Sequence, residues 1–534
     1  MKLPLALLAA SITAIVAAWW WLGLPIAMPP AGPGDDGKLQ CVSYAPYRAN
    51  QNPLDDSTRV DPKDIEADLV RLKQITDCVR TYSTEHGDDQ IAVIAHKLGM
   101  KVMQGIWVSP EPARTRAQID RAVELAKAYP DTVISIVVGN EVLLRGDMSA
   151  TDLAAIIREV KAAVACPVTY ADVWEYWNRN PQLAGVVDFV TVHMLPYWED
   201  VPIPVEKAPA HVEAIREQMV TRFPGKEVLI GEIGWPSAGR MREGALPSPA
   251  NQARFLQQVT ANARAGHYRA NVIEAFDQPW KRALEGTVGG YWGVFDAFRR
   301  EPKFVYGAPV SNHPAWRWQA AGGAALAIGV FALAAALARR RRVAVSTDRW
   351  IGLAVIATVA GIFVGWAFEN IAIESLGFGG WMEGIAWSVA ALVGPIAAGA
   401  SLAVGVPAPP FGALLGRRDE RPCAPIAIVS GVARIVLTLL ALQISLMLVF
   451  DPRYVDFPFA PLLAAAVPFF ALSWMLPADK GPRPAAEKLA AAVLAGCAVY
   501  IAINETFANW QALLTCAGLL MLALTLARVR AAPG

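Results

Sequence analysis

Two hydrophobic rhythms divide this chain. From residue 40 to residue 313, short β-branched runs alternate with segments whose apolar residues recur at helical spacing, as Ile65, Leu69 and Leu72 do. The strand-like runs fall at 41–46, 78–82, 102–108, 133–138, 168–173, 189–193, 228–230 and 271–276, with helical patterns such as 61–74, 113–128, 151–165, 206–223 and 249–265 between them. Parallel strands covered by helices are buried on both faces and read as continuous apolar runs, as these do. Eight such units predict an α/β fold, a closed (β/α)8 TIM barrel whose working residues gather at the C-terminal ends of its strands. A doubly wound open sheet is the competing topology, and the missing glycine-rich phosphate loop after the first strand argues against it.

The second rhythm is longer. Residues 3–24 form an apolar run of transmembrane length, led by Lys2 and ending in Trp19, Trp20 and Trp21, and predict an N-terminal transmembrane helix. A cleaved signal peptide is the alternative, but the run exceeds an h-region and no A-x-A site follows it. Further apolar runs at 316–338, 350–368, 385–406, 426–450, 459–476, 489–503 and 510–527 predict a C-terminal polytopic α-helical membrane domain of about seven helices. The expected division is a membrane anchor at 1–28, a Pro/Gly linker at 29–39, the barrel at 40–313 and the membrane domain at 314–534. Basic residues concentrate at Arg339 to Arg342, at Arg417, Arg418 and Arg421, at Lys480, Arg483 and Lys488, and at Arg528 and Arg530. These clusters alternate with loops poor in Lys and Arg. The positive-inside rule then puts both termini in the cytoplasm and the barrel outside, in the periplasm of a Gram-negative cell. Arg434, the one charge well inside a run, is a functional suspect by default, although its position permits snorkelling toward the cytoplasmic interface.

Composition agrees with this split. At 54% hydrophobic and 18% charged over 534 residues, the chain is too apolar to be wholly soluble. A net charge of +1, with no basic face in the barrel half, excludes nucleic acid as a partner. Cys41, Cys78 and Cys166 are an odd set; Cys41 and Cys78 lie on strands that should be neighbours, yet buried free thiols are the expected state.

The chemistry sits at strand ends. The run 228–230 carries Glu232 into a turn with Gly234, Trp235, Pro236 and Gly239, and the run 133–138 ends in Gly139, Asn140 and Glu141. These are the fourth and seventh strands, three apart around a ring of eight, so the two carboxylates can converge across its mouth. Facing carboxylates suit glycosidic cleavage, one as general acid and one as nucleophile or base. Asn140 and Tyr197 are the neighbours expected to set their charge states apart. The other strand ends offer Tyr44, Tyr82, Asp172, His193, Asp277, Trp280, Lys281 and Trp292 as substrate-binding candidates. Trp235, Trp280 and Trp292 are expected to stack on sugar rings, and His193 to act as a hydrogen-bonded neighbour rather than a base. Asp172, Asp277 and Lys281 bind sugar hydroxyls or pair with one another. No metal or other cofactor is required.

The stretch Leu229-Ile-Gly-Glu-Ile-Gly-Trp-Pro-Ser237, with Gly139-Asn-Glu141 upstream, resembles the signature of glycoside hydrolase family 17, the β-1,3-glucanase family. Tyr44-Ala-Pro46, Pro196-Tyr197 and Ala275-Phe-Asp-Gln-Pro-Trp-Lys281 extend the resemblance over residues 40–305. It implies a retaining (β/α)8 glycosidase with Glu141 as acid/base, Glu232 as nucleophile and Tyr197 hydrogen-bonded to Glu232. The membrane region departs from the secreted plant members. It is more similar to bacterial membrane-bound members associated with β-1,3 or β-1,6 glucan synthesis and remodelling. The expected activity is therefore a membrane-bound β-glucan glucosyltransferase or glucanase, with β-glucan and the lipid bilayer as partners and glucan synthase or export subunits as further ones. A membrane glucan transport or assembly protein with a non-catalytic, glucan-binding barrel is the alternative.

Overall fold

The computed structural model describes residues 2–29, 38–415, 424–477 and 482–529. Residues 30–37 of the expected linker, and Arg417, Arg418, Arg421, Lys480 and Arg530 of the basic clusters, lie outside the described residues. The chain separates into two compact units, one of residues 26–239 and 244–310 and one of residues 1–25, 240–243 and 311–534.

The first unit is the expected barrel. Its strands are β1 (Cys41–Ser43), β2 (Cys78–Arg80), β3 (Lys101–Ile106), β4 (Val133–Asn140), β5 (Val168–Val173), β6 (Val190–His193), β7 (Val228–Ile233) and β8 (Ala270–Val272). Each runs parallel to the next and β1 pairs with β8, which closes the ring. Three of the helices between the strands begin at a side-chain cap. Asp61 caps Pro62–Leu72, Ser149 caps Ala150–Ala163 and Ser248 caps Pro249–Ala265, each by accepting a backbone N–H of the first turn. The eighth strand stops short of the expected residue 276. There the backbone turns to new partners: Val294 N donates to Glu274 O and Phe295 N to Ala275 O.

Three strand pairs near the site shift register. The shifts fall between Val137 and Asn140, between Val192 and His193, and between Ile230 and Ile233. A shift at a strand end re-aims the side chains that follow, a common device beside active sites.

The register of this unit overturns the expectation for its cysteines. Cys41 and Cys78 form a disulfide, with Cα atoms 4.5 Å apart, rather than staying as thiols. The pairing Val42↔Val79 sets the two cysteines side by side, an adjacency that only barrel register decides. Cys166 remains a free, half-buried thiol. The bridge spans 37 residues, for which the chain-entropy relation gives about 4 kcal/mol. The expected result is that Cys41→Ser/Cys78→Ser loses about that much in urea unfolding under oxidising conditions, and that dithiothreitol brings the wild type to the same midpoint.

The second unit is helical. Among the described residues, seven of its helices are long and apolar enough to cross a membrane: Lys2–Leu22, Trp316–Arg341, Thr347–Glu374, Gly377–Val404, Pro425–Phe450, Ala485–Glu505 and Trp510–Arg528. The expected eighth, Phe459–Met475, is shorter but apolar. Small residues let these helices approach closely. A Cβ on Gly323 would lie 2.0 Å from Gly361 O, so Trp316–Arg341 and Thr347–Glu374 pack backbone to backbone. Arg434 is 3% exposed. Its guanidinium donates to Ala408 O at 3.4 Å and to Pro409 O, carbonyls that the loop before Phe411–Leu415 leaves outside any helix.

Candidate active site

Strand alternation and closure bring four side chains to one point. Glu141 follows the last residue of β4, Glu232 lies within β7, and His193 and Arg80 end β6 and β2. Glu141, His193 and Glu232 each present an atom within 4.8 Å of the others, so a carboxyl oxygen of Glu141 lies within that distance of one of Glu232. Glu141 has φ 54° and ψ 34°, a left-handed conformation that costs a non-glycine residue on the order of 1 kcal/mol. Gly139, at φ 85°, takes the other positive-φ position of the turn. Together they swing Glu141 out of the strand direction.

Glu232 is 4% exposed and closely held. Its Oε1 accepts from Arg80 Nη1 at 3.1 Å and from the Tyr82 hydroxyl at 2.8 Å. Ser43 Oγ lies 2.9 Å from that hydroxyl, and Asn271 Nδ2 donates to Ser43 Oγ at 2.7 Å. Burial by itself raises the Glu232 carboxyl pKa. The His193 ring, the Arg80 and Lys281 charges and the Tyr82 hydrogen bond outweigh it and hold the group below the ordinary glutamate value. It is therefore ionised at neutral pH.

Arg80 is the member of this cluster that sequence reading passed over. It is fully buried, donating also to Gly231 O at 2.8 Å and to Asn140 Oδ1 at 2.5 Å. The available signal was a cation inside the strand-like run 78–82, two residues before Tyr82, where a buried strand has no bland use for charge. The three groups Glu141, His193 and Glu232 are also of types that ligate metals. Arg80 already supplies positive charge against Glu232, which makes the cluster a poor cation site.

The remaining candidates divide by what they touch. Asn140 and Tyr82 belong to the cluster just described, as does His193, whose Nδ1 lies 2.8 Å from Glu141 Oε1. Asp172 accepts from Val173 N at 2.8 Å and from the Tyr170 hydroxyl, and burial lifts its carboxyl to about 6. Asp277 accepts from Lys303 Nζ at 2.6 Å and Gly293 N at 2.9 Å, and burial lifts it also to about 6. Lys281 pairs with Glu274 Oε2 at 2.9 Å; burial nonetheless pushes Glu274 up to about 7. Tyr44 donates to Asp68 at 3.0 Å, and the buried Asp68 also pairs with Arg300 and the half-buried Arg48. Tyr197 is buried, with its ring edges on Trp198, Trp235 and Trp292.

Trp235 is 0% exposed and donates Nε1–H to Leu246 O at 3.0 Å, packed against Phe255. A ring with no open face has none to offer a sugar, so its role is to wedge the β7 turn in place. Trp280 keeps part of its surface open and donates to Gln278 Oε1 at 2.8 Å. Trp292 was also expected to stack on sugar, but it is 3% exposed, parallel to Trp198 at 6.4 Å and met edge-on by Tyr197, so it too is packing.

Residues 41–293 match the BtgE/BtgC glycoside hydrolase domain. A glucan 1,3-beta-glucosidase of Arthroderma benhamiae is 30% identical over 263 residues, which cover 46% of this chain and 84% of that relative. The chain belongs to the BtgE/BtgC glycoside hydrolase family. Its barrel is a glycosidase or transglycosylase domain, and Glu141 and Glu232 both fall within the matched span. A glucan 1,3-beta-glucosidase of Saccharomyces cerevisiae is 26% identical and covered to 84% of its length, and a probable beta-glucosidase btgE of Aspergillus fumigatus is 28% identical and covered to 45%. These relatives of the family domain are fungal proteins. A glycoside hydrolase family 17 beta-1,3-glucanosyltransferase from Rhizomucor miehei, of solved structure, is 26% identical, with 50% of this chain and 98% of that one covered at a TM-score of 0.44.

Proposed function

We propose that this chain is a membrane-bound, retaining β-glucan enzyme, a β-1,3-glucan glucosyltransferase or glucanase, with Glu232 as nucleophile and Glu141 as acid/base. The observation that carries it is the separation within 4.8 Å between carboxyl oxygens of Glu141 and Glu232. That is too close to seat an attacking water between them and fits the roughly 5 Å gap of retaining glycosidases. In the first step the Glu141 proton passes to the glycosidic oxygen as the bond to the anomeric carbon breaks and a Glu232 oxygen bonds to that carbon. In the second step a water or sugar hydroxyl gives its proton to Glu141 and displaces Glu232. Hydrolysis and transfer differ only in that acceptor, and Trp280, which keeps part of its surface open, is the ring proposed to favour a sugar.

The barrel is proposed to face the extracytoplasmic side of a cytoplasmic membrane, with both termini inside, as in bacterial membrane-bound enzymes of glucan synthesis. Two features support this. Arg339 to Arg342, Arg483 with Lys488, and Arg528 mark loops of one sign at helix ends. The Cys41–Cys78 disulfide belongs in an oxidising compartment.

The test is to incubate the purified full-length protein with laminari-oligosaccharides and separate the products. Chains longer than the substrate indicate transfer and shorter ones hydrolysis. Unchanged substrate would leave only glucan binding and end the catalytic reading.

A further inference from the structure

His193 is a titratable side chain in contact with the acid/base glutamate that the two-step reaction leaves without a part. Its ring is 1% exposed, and both nitrogens are turned to protein groups rather than to the open mouth. Nδ1 lies 2.8 Å from Glu141 Oε1, while Nε2 lies 3.4 Å from Arg80 Nη1 and 3.7 Å from Glu232 Oε1. The site is shaped to hold this ring. A Cβ on Gly231 would come within 3.0 Å of His193 Cδ2, and the pairing His193↔Glu232 sets the two strands at this level.

The direction of the hydrogen bond follows from the partners. A guanidinium has donors only, so in the neutral ring the nitrogen facing Arg80 is the one without hydrogen and Nδ1 carries it. In the charged ring both nitrogens carry hydrogen. Either way Nδ1–H points at Glu141 Oε1.

We propose that His193 is a positioning residue for the acid/base: by donating from Nδ1 to Oε1 of Glu141 it pins that oxygen and leaves Oε2 as the only one able to exchange a proton with the glycosidic oxygen and the incoming hydroxyl. Arg80 thus serves both glutamates, one directly and one by fixing which way His193 donates. The inference rests on the proposed roles of Glu141 and Glu232.

The test uses leaving groups of unequal need for a proton. A laminari-oligosaccharide requires protonation of its departing oxygen, whereas a dinitrophenyl β-glycoside of laminaribiose does not. His193→Ala in the full-length protein is expected to lower kcat/KM about 10²-fold on the oligosaccharide and by less than about threefold in dinitrophenolate release, in line with the worth of a placed general acid. His193→Asn, whose amide nitrogen can stand where Nδ1 stood, is expected to recover the oligosaccharide rate to within about tenfold of wild type, and His193→Gln, which places its amide a bond further out, is not. Equal losses on both substrates, no loss, or an Asn variant as poor as Gln would overturn the proposal. The Asn and Gln pair carries the test if the Ala variant does not fold. Glu141→Ala run alongside separates the two levels: if it shows the leaving-group split and His193→Ala does not, only the positioning role fails, whereas full oligosaccharide turnover by Glu141→Ala removes the acid/base assignment itself.

Discussion

Glu232→Gln is expected to lower kcat on laminari-oligosaccharides by at least about 10⁴-fold while substrate binding stays within about threefold, because it removes a covalent step and not a binding contact. The substitution is nearly isosteric. Its carbonyl can take the place of Oε1 and go on accepting from Arg80 and Tyr82, while its amide nitrogen occupies the position of the attacking oxygen. An amide has no carboxylate lone pair to give the anomeric carbon, so the glycosyl-enzyme does not form. Single-turnover assays with isothermal binding measurements on the same preparation check both halves. Turnover within tenfold of wild type would move the nucleophile elsewhere, with Glu274, buried near neutrality beside Lys281, the next candidate.

Arg80→Leu is the second large effect. The pair it breaks is buried on both sides, with Arg80 fully enclosed and Glu232 nearly so. Losing one partner leaves a buried charge uncompensated, a cost of roughly 3–5 kcal/mol. The sign with pH follows from the depressed carboxyl of Glu232. A carboxyl held low in the folded state adds stability that is present above its unfolded value and lost as pH falls through its folded value. Without Arg80 one of the charges that hold it down is gone, and the carboxyl rises. The acid limb of kcat/KM is then expected to move to higher pH, with activity at neutral pH down by about 10²-fold. A pH–rate profile with thermal unfolding measured alongside checks this, and an unmoved acid limb would mean that Arg80 does not set the nucleophile's charge. Arg80→Lys is expected to recover only part of the loss, since a point charge cannot make the forked bonds to Gly231 O and Asn140 Oδ1.

Much of the site was legible because its signals are local. Glu141 and Glu232 each close an apolar run and precede chain-turning residues, and the positions are recognisable without knowing what lies across the barrel. Membrane-length runs are local in the same way, and each one forms a helix. The disulfide was read the wrong way because two cysteines 37 residues apart become neighbours only through the pairing of β1 with β2. Trp235 was expected to face sugar because its sequence neighbourhood is a strand lip, yet the side chain turns inward onto Phe255. Direction at a strand end depends on the register shift before it.

What the sequence by itself determined is the order and kind of elements, eight strand–helix units and the apolar helices, together with the places of the two glutamates, one just after β4 and one in β7. Those follow from period, caps and breakers, which act over a few residues. Tertiary structure alone decided that Arg80 of β2 meets Glu232 of β7, that His193 bridges toward Glu141, and which carboxyl oxygens remain open. These pairings join residues 52 to 152 positions apart, and they exist because a closed ring of eight strands turns its C-terminal ends toward one axis.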